Sequence, residues 1–124
     1  MKTLTRIVLA AALLAAESSW AAGGGGPTGP EVPADPVIEK TEAAIAGRNW
    51  AQAQEIAREG IARNPANADY HNLYAYSIRR GANPQMDLVF RHYNEALRID
   101  PKHRGAHEYL GEAYLMTGNL AKAK

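Results

Sequence analysis

The residues best suited to chemistry in this chain are two histidines four positions apart, His103 and His107. Side chains at that spacing lie on one face of a helix, where two imidazoles can hold a transition metal with Glu108 or Glu112 nearby. A metal site needs more than two good ligands, and His71 occupies a comparable position on an earlier helical pattern. This recurrence favours a packing role for the histidines. We therefore predict no metal and keep a histidine-based metal-binding protein as an alternative.

Other catalytic chemistries have no candidate residues. The sequence contains no cysteine, which excludes thiol catalysis, zinc-thiolate sites and disulfides. Ser77 is the single serine after residue 21, and it falls in a helical pattern instead of the strand-to-helix turn of a serine hydrolase. Glycines cluster near residues 23–29 with no strand before them, so no phosphate-binding loop is expected. We expect a protein that is not an enzyme and carries no cofactor.

Apolar and small residues recur at helical spacings of three and four along most of the chain. Pro36 suits the first turn of one such pattern and Gly47 its end, while a second pattern of about 14 residues stops before Asn64-Pro65. Small Ala53 and Gly60 would let that second helix approach its neighbour closely. The five patterns lie at 37–45, 50–61, 70–78, 88–97 and 106–114. No alternating strand pattern is present, so the sequence predicts an all-α fold.

The end of the chain places small and apolar residues at the offsets of a helical-hairpin repeat: Leu110-Gly111, Tyr114, Gly118 and Ala123. This pattern resembles the tetratricopeptide repeat. Upstream, Pro65 and Pro101 each follow a helical pattern and lie 36 residues apart, two more than the period of that family. The Gly/Pro turn at 81–85 accommodates the excess.

The resemblance implies tetratricopeptide-type helical hairpins stacked as a short right-handed α-solenoid at residues 36–124. Its units would be about 36–65, 66–101 and 102–124, with the last repeat incomplete. Repeat arrays need a polar final helix, so the faces of Leu110, Ala113 and Tyr114 would lack part of their cover. Either the chain is a truncated form of a longer protein, which we favour, or a second chain supplies the cover. Homo-oligomerisation through this C-terminal face is therefore a second structural hypothesis.

The resemblance also implies a concave groove lined by the first helix of each unit. The positions assigned to it are Asp35, Ile38, Glu42, Ile45, Ala46, Asp69, Asn72, Tyr76, Arg79, Arg80, Gly105, Glu108, Glu112, Leu115 and Met116. From these we predict six partner-binding residues with distinct roles. Arg79 and Arg80 would take a carboxylate or phosphate, Tyr76 would stack on a peptide, Asn72 would hydrogen-bond an extended main chain, and Glu108 and Glu112 would attract a basic residue.

The arginines have a second interpretation, because a pair of cations at the end of an exposed helix is often solvated and favours the helix C-terminus. The residue combination with which chaperone-binding members of the family hold a C-terminal carboxylate is not reproduced. Chaperone binding is not predicted.

The N-terminus has the pattern of a secretory signal peptide at residues 1–21. Lys2 and Arg6 precede ten small or apolar residues, and Ser19 and Ala21 are small side chains where signal peptidase selects them. We predict cleavage after Ala21. The apolar run is short for a bilayer span, so an uncleaved membrane anchor is the less favoured alternative.

The segment that follows, 22–35, is rich in glycine and proline and predicts a disordered linker, serving as a tether or simply as a leader before the domain. Removal of the leader takes away two of the 14 basic residues and one of the 13 acidic residues, which leaves twelve of each sign. A neutral chain lacks the basic surface that nucleic acids require. The sequence thus predicts a periplasmic or secreted scaffold that binds an unknown partner protein or peptide, without nucleic acid and without a stable membrane anchor.

Overall fold

The computed structural model describes residues 33–123. The predicted signal peptide (1–21) and most of the predicted linker (22–35) lie outside this part of the chain. The described part contains six helices and no strand: α1 (Pro36–Ala46), α2 (Trp50–Arg63), α3 (Ala68–Arg80), α4 (Met86–Ile99), α5 (Arg104–Met116) and α6 (Leu120–Ala123). The all-α prediction is confirmed. None of these helices is long and apolar enough to cross a membrane.

The helices begin where the local sequence provides caps. Asp35 Oδ1 accepts a hydrogen bond from the Val37 amide at 2.9 Å, and Pro36 occupies the first turn, where its missing N–H costs nothing. Asn67 and His103 cap α3 and α5 by accepting from the backbone amide three residues later. The predicted start at Pro36 is confirmed.

The loops after α1 and after α5 share one backbone conformation. In each loop, three successive amides donate to carbonyls four, three and five residues earlier, at 2.8 to 3.2 Å. The middle residue is left-handed in both cases, Arg48 with φ 57° and Gly118 with φ 75°. A side chain in that region costs on the order of 1 kcal/mol. Helix α1 stops at Gly47 as predicted, but Arg48 takes the strained position.

Each helix packs against the next one along the chain, and the odd-numbered helices also touch in order. Helix α1 contacts α3, and α3 contacts α5, whereas α2 and α4 do not contact each other. The first helices of the three proposed units therefore lie side by side. Helices α2 and α4 fill the spaces between successive odd-numbered helices.

The core is centred on α4, whose buried face packs against α3 and α5. Its fully buried side chains are Ala75 on α3, Val89, Tyr93 and Ala96 on α4, and Ala106 and Ala113 on α5. Burial raises the pKa of Tyr93 to about 12, so the phenol is uncharged at neutral pH. Burial of each large side chain contributes about 1.5 to 3 kcal/mol, and α4 supplies the two largest in this cluster.

Glycine at position 60 permits a close crossing, as predicted. A Cβ atom there would lie 2.7 Å from Val37 Cγ1 on α1 and 3.1 Å from Tyr70 Cδ2 on α3. Such distances would force neighbouring atoms to move. At Gly111 the nearest atom to a Cβ would be the carbonyl oxygen of Ala123, at 3.4 Å. Both glycines therefore lie against a neighbouring helix.

At the C-terminal end of the described helices, burial differs from the expectation at one residue. Ala113 is fully buried because its small side chain faces the core between α4 and α5. Leu110 and Tyr114 are half-buried, and the Tyr114 ring stacks on Phe90 with centroids 4.8 Å apart. Leu115 and Met116, on the last turn of α5, are large apolar side chains that are more than half exposed.

Candidate functional site

A cavity of about 230 Å³ opens on the side where α1, α3 and α5 lie together. Its lining residues, which we call the inner groove, are Glu42, Ile45 and Ala46 on α1, Leu73 and Tyr76 on α3, and Tyr109 on α5. Aliphatic and aromatic groups dominate, with one carboxylate on the α1 wall. Four of the six residues occupy positions that the sequence assigns to the groove, whereas Leu73 and Tyr109 do not.

Three aromatic side chains from three helices lie next to one another, Trp50, Tyr76 and Tyr109, and the two tyrosines line this groove. The ring centroids of Trp50 and Tyr76 are 6.2 Å apart, and those of Tyr76 and Tyr109 are 4.8 Å apart. All three side chains are half-buried, and burial raises the pKa of Tyr109. We call this set the aromatic row. The sequence predicted a binding role only for Tyr76, since Trp50 and Tyr109 belong to the apolar stripes of their helices.

Arg79 is held inside the protein, although the sequence predicted it for partner binding. It is 6% exposed, and its Nη2 donates to Glu112 Oε2 at 2.7 Å. Its Nε lies 3.5 Å from the Tyr93 hydroxyl, and its guanidinium is 5.4 Å from the Tyr76 ring centroid. An ion pair and aromatic contacts offset the cost of burying this charge. Arg79 and Glu112 thus join α3 to α5.

Arg80 is exposed and has a different environment. Its guanidinium lies 5.6 Å from the Trp50 ring centroid and 5.9 Å from that of Tyr76. No salt bridge joins Arg80 to another residue of the described chain. Its charge is therefore presented beside the aromatic row.

Asn72 and Glu108, the remaining predicted site residues, do not line the inner groove. Asn72 is 7% exposed, and its Oδ1 has no hydrogen-bond partner within residues 33–123. A Cβ at Gly105 would lie 3.3 Å from Asn72 Nδ2, so this amide is covered by the start of α5. Glu108 is exposed on α5 and forms no ion pair in the same part of the chain.

A larger cavity of about 700 Å³ adjoins Trp50. It lies between the loop after α1 and the loop after α3. Its other lining residues are Arg48, Asn49, Ala51, Gln52, Gln54, Gly81, Ala82 and Asn83. Amide side chains are prominent here, and they can both donate to and accept from a peptide main chain. Trp50 borders this cavity and also belongs to the aromatic row.

The histidine pair His103 and His107 is engaged in hydrogen bonds within the chain. His103 Nδ1 accepts from a backbone amide at 3.0 Å, and its Nε2 lies 2.6 Å from Asp69 Oδ1. His107 Nε2 lies 2.8 Å from the carbonyl oxygen of Pro101, to which it donates. No group of three or more metal-ligating side chains with suitable geometry occurs in residues 33–123. A metal at His103 would have to displace a helix cap or a carboxylate contact.

The other two histidines form a pair between α3 and α4. The Nδ1 atoms of His71 and His92 are 2.9 Å apart, and His71 Nε2 lies 2.7 Å from the Pro65 carbonyl oxygen. The Pro65 carbonyl can only accept, so His71 Nε2 carries the proton. In the neutral pair, His71 Nδ1 is therefore the acceptor, and His92 Nδ1 donates to it. Burial, followed by the electrostatic influence of His71 and of Arg91, lowers the pKa of His92 to about 4. The pair is a structural contact between two helices.

No protein-family model matches the chain, and no curated protein matches it. The inner groove, the aromatic row and the exposed guanidinium of Arg80 lie together, whereas Arg79 and Glu112 neutralise each other. This arrangement can bury apolar side chains of a ligand and pair with a carboxylate, and it places no nucleophile beside a base.

Replacement of Glu112 by Gln is expected to lower the free energy of unfolding by about 1 to 2 kcal/mol, because Arg79 would then be buried without a counter-charge. The expected loss in the free energy of unfolding is smaller than for a fully buried pair, because the Glu112 side chain is 46% exposed. Urea unfolding of both proteins measures it. Glu108→Gln is the control, because the sequence assigns Glu108 to the same helix face as Glu112. It should change the free energy of unfolding by less than about 0.5 kcal/mol. Equal losses in the two variants would contradict the structural role of the Arg79 pair.

Stability should fall as the pH drops from about 6.5 toward 4 because of His92. Its pKa is lowered in the folded protein, so the unfolded chain binds the proton more readily over this window and acid favours unfolding. Melting temperatures recorded between pH 7 and pH 4 should therefore decline less steeply for His92→Phe than for the unaltered protein. His107→Phe is the control and should keep the original slope. Parallel curves for all three proteins would show that His92 does not carry this linkage.

Proposed function

We propose that this protein is an exported, non-enzymatic interaction scaffold that binds a partner protein or peptide in the concave groove of tetratricopeptide-type helical repeats. The observation that carries the proposal is the inner groove, to which α1, α3 and α5 each contribute side chains. These are the first helices of the three units inferred from the sequence. An open surface made by equivalent helices of successive repeats is suited to an elongated ligand.

Recurring contacts support the repeat assignment. His71 Nε2 donates to the Pro65 carbonyl at 2.7 Å, and His107 Nε2 donates to the Pro101 carbonyl at 2.8 Å. Both contacts span six residues, and they are separated by 36 residues. The shared backbone conformation of the loops after α1 and after α5 is a second recurrence. Equivalent contacts at equivalent positions are what stacked copies of one helical hairpin would produce.

The chemistry of the groove supports binding. Aromatic side chains and arginine dominate the energetics of protein interfaces, because they bury a large area and retain polar atoms for orientation. Trp50, Tyr76 and Arg80 combine these properties at one edge of the groove. The rings are half-buried, so part of each side chain is accessible to a ligand.

Export is proposed from the sequence. A charged start, an apolar segment and small residues before position 22 favour a cleaved signal peptide, and the neutral remainder gives no basis for nucleic-acid binding. The chain contains no cysteine, so no disulfide can support it in a periplasm or outside the cell. A scaffold in that location would have to be stabilised by helix packing alone. The Gly/Pro-rich segment would then separate the cleavage site from the repeats.

Expression of the full chain in a bacterial host with an export pathway should yield a mature protein beginning at Ala22. Edman sequencing of the envelope fraction checks the position, and mass spectrometry checks the loss of residues 1–21. Ala21→Asp should block processing, because the peptidase requires a small uncharged residue before the cut. A soluble cytoplasmic product that retains Met1 would refute export.

Selection of peptides from a random displayed library on the purified chain should yield ligands that depend on the inner groove. Ala46→Trp puts a large side chain into the groove at an exposed position. It should weaken binding of the selected peptides at least about tenfold. Ala62→Trp is the matched control, since Ala62 is also exposed near a helix end and lies outside the groove. Ligands that bind both variants with equal affinity would rule out the groove as the binding site.

A further inference from the structure

The aromatic row has the spacing of a platform for an extended ligand. Its two centroid steps, 4.8 and 6.2 Å, are each close to the length of two residues of a polyproline II helix, which rises about 3.1 Å per residue. Proline-rich segments bind in grooves lined by aromatic rings, because the preformed helix loses little entropy and its flat rings pack on aromatic faces. Trp50, Tyr76 and Tyr109 come from three different helices, so the row crosses the helices instead of following one.

The polar atoms of the row are available to a ligand main chain. In residues 33–123, neither hydroxyl of Tyr76 and Tyr109 makes a hydrogen bond, and neither does the indole N–H of Trp50. By contrast, the hydroxyls of Tyr70 and Tyr93 both have partners. A polyproline II helix has no internal hydrogen bonds, and its carbonyl groups need external donors. The row offers three donors beside its aromatic rings.

The charge beside the row selects an acidic ligand. Arg80 is exposed, lies over the Trp50 and Tyr76 rings, and has no ion pair in the described part of the chain. The neighbouring Arg79 is already neutralised by Glu112. Glu42 on α1 lines the groove and would repel a ligand carboxylate, so the carboxylate is expected at Arg80.

We propose that the groove binds an extended, proline-rich peptide in the polyproline II conformation, with an acidic side chain of the peptide paired with Arg80. This inference rests on the proposed function and names the chemistry of the partner. Proline rings lie on the aromatic row, and the tyrosine hydroxyls and the indole N–H donate to peptide carbonyls. The peptide continues past Trp50 into the cavity lined by Asn49, Gln52 and Asn83, whose amides bind the main chain beyond the prolines.

An α-helical ligand fits these features less well. A helix with its side chains is about 10 to 12 Å across, and its main-chain carbonyls are already bonded within the helix. The inner groove measures about 230 Å³, and the aromatic row presents three unengaged donors, which a helix would leave without acceptors. The geometry therefore favours an extended main chain.

Calorimetric titration of the purified chain with three synthetic peptides tests the proposal. The first is acetyl-Pro-Pro-Pro-Glu-Pro-Pro-Pro-amide, the second has Gln in place of Glu, and the third has Gly in place of every Pro. The Glu peptide should bind, the Gln peptide should bind about tenfold more weakly because it lacks the charge, and the Gly peptide should lose at least that factor because it is not preorganised.

Substitutions assign the contacts. Arg80→Gln should remove the preference for the Glu peptide over the Gln peptide, whereas Arg91→Gln, an equally charged change at an exposed position of α4, should keep it. Tyr76→Leu should weaken both peptides, since the aromatic face and the hydroxyl are lost while an apolar side chain remains. Circular dichroism of each variant establishes that the helices are retained.

Two results would overturn the inference. One is equal binding, or none, for the Glu and Gly peptides on the folded protein; the other is an unchanged Glu preference in Arg80→Gln. If the displayed library instead yields groove-dependent ligands without proline, the scaffold function stands and the partner chemistry proposed here is wrong. If no ligand of either kind depends on Ala46 and the Glu peptide does not bind, both proposals fail.

Discussion

Close approach of helix backbones is the constraint on which the rest of this structure depends. Alanine is fully buried at Ala53 and Ala57 on α2, Ala75 on α3, Ala96 on α4, and Ala106 and Ala113 on α5. At Gly60 on α2 there is no room for one more carbon atom against α1 and α3. Because small residues occupy the crossings, the larger side chains lie at other positions. Tyr93 fills the core between α3 and α5, while Tyr76 and Tyr109 reach the edge and line the groove.

The difference between Arg79 and Arg80 follows from helix geometry. Successive residues of an α-helix point about 100° apart, so two adjacent arginines on α3 meet different neighbours. Arg79 turns toward α5 and pairs with Glu112, whereas Arg80 turns toward the start of α2 and lies over Trp50. A buried cation is tolerated only with a counter-charge and polar contacts. The ion pair therefore joins α3 to α5, and the guanidinium of Arg80 stays exposed.

Three histidines hold backbone groups in place in this fold. His71 and His107 hold the turn before their helices through the carbonyls of Pro65 and Pro101, and His103 caps α5. In each case an imidazole nitrogen satisfies a backbone group that would otherwise lack a partner. The spacing of His103 and His107, which suggests metal ligation in the sequence, is thus also explained by two separate backbone contacts.

The sequence by itself determined the class and the ends of the elements, because helical periodicity, proline, glycine and cap residues act within a few positions of one another. It placed Pro36, Gly47 and the stop before Asn64 correctly, and it assigned Tyr76 and the α1 residues of the groove to a surface. It did not distinguish Arg79 from Arg80, and it left Trp50 and Tyr109 in apolar stripes. Those properties depend on which helix faces which, and contacts such as Arg79 with Glu112 join residues 33 apart. Tertiary packing alone decided them, since the free energy of a buried charge or a half-buried ring depends on neighbours that local sequence does not specify.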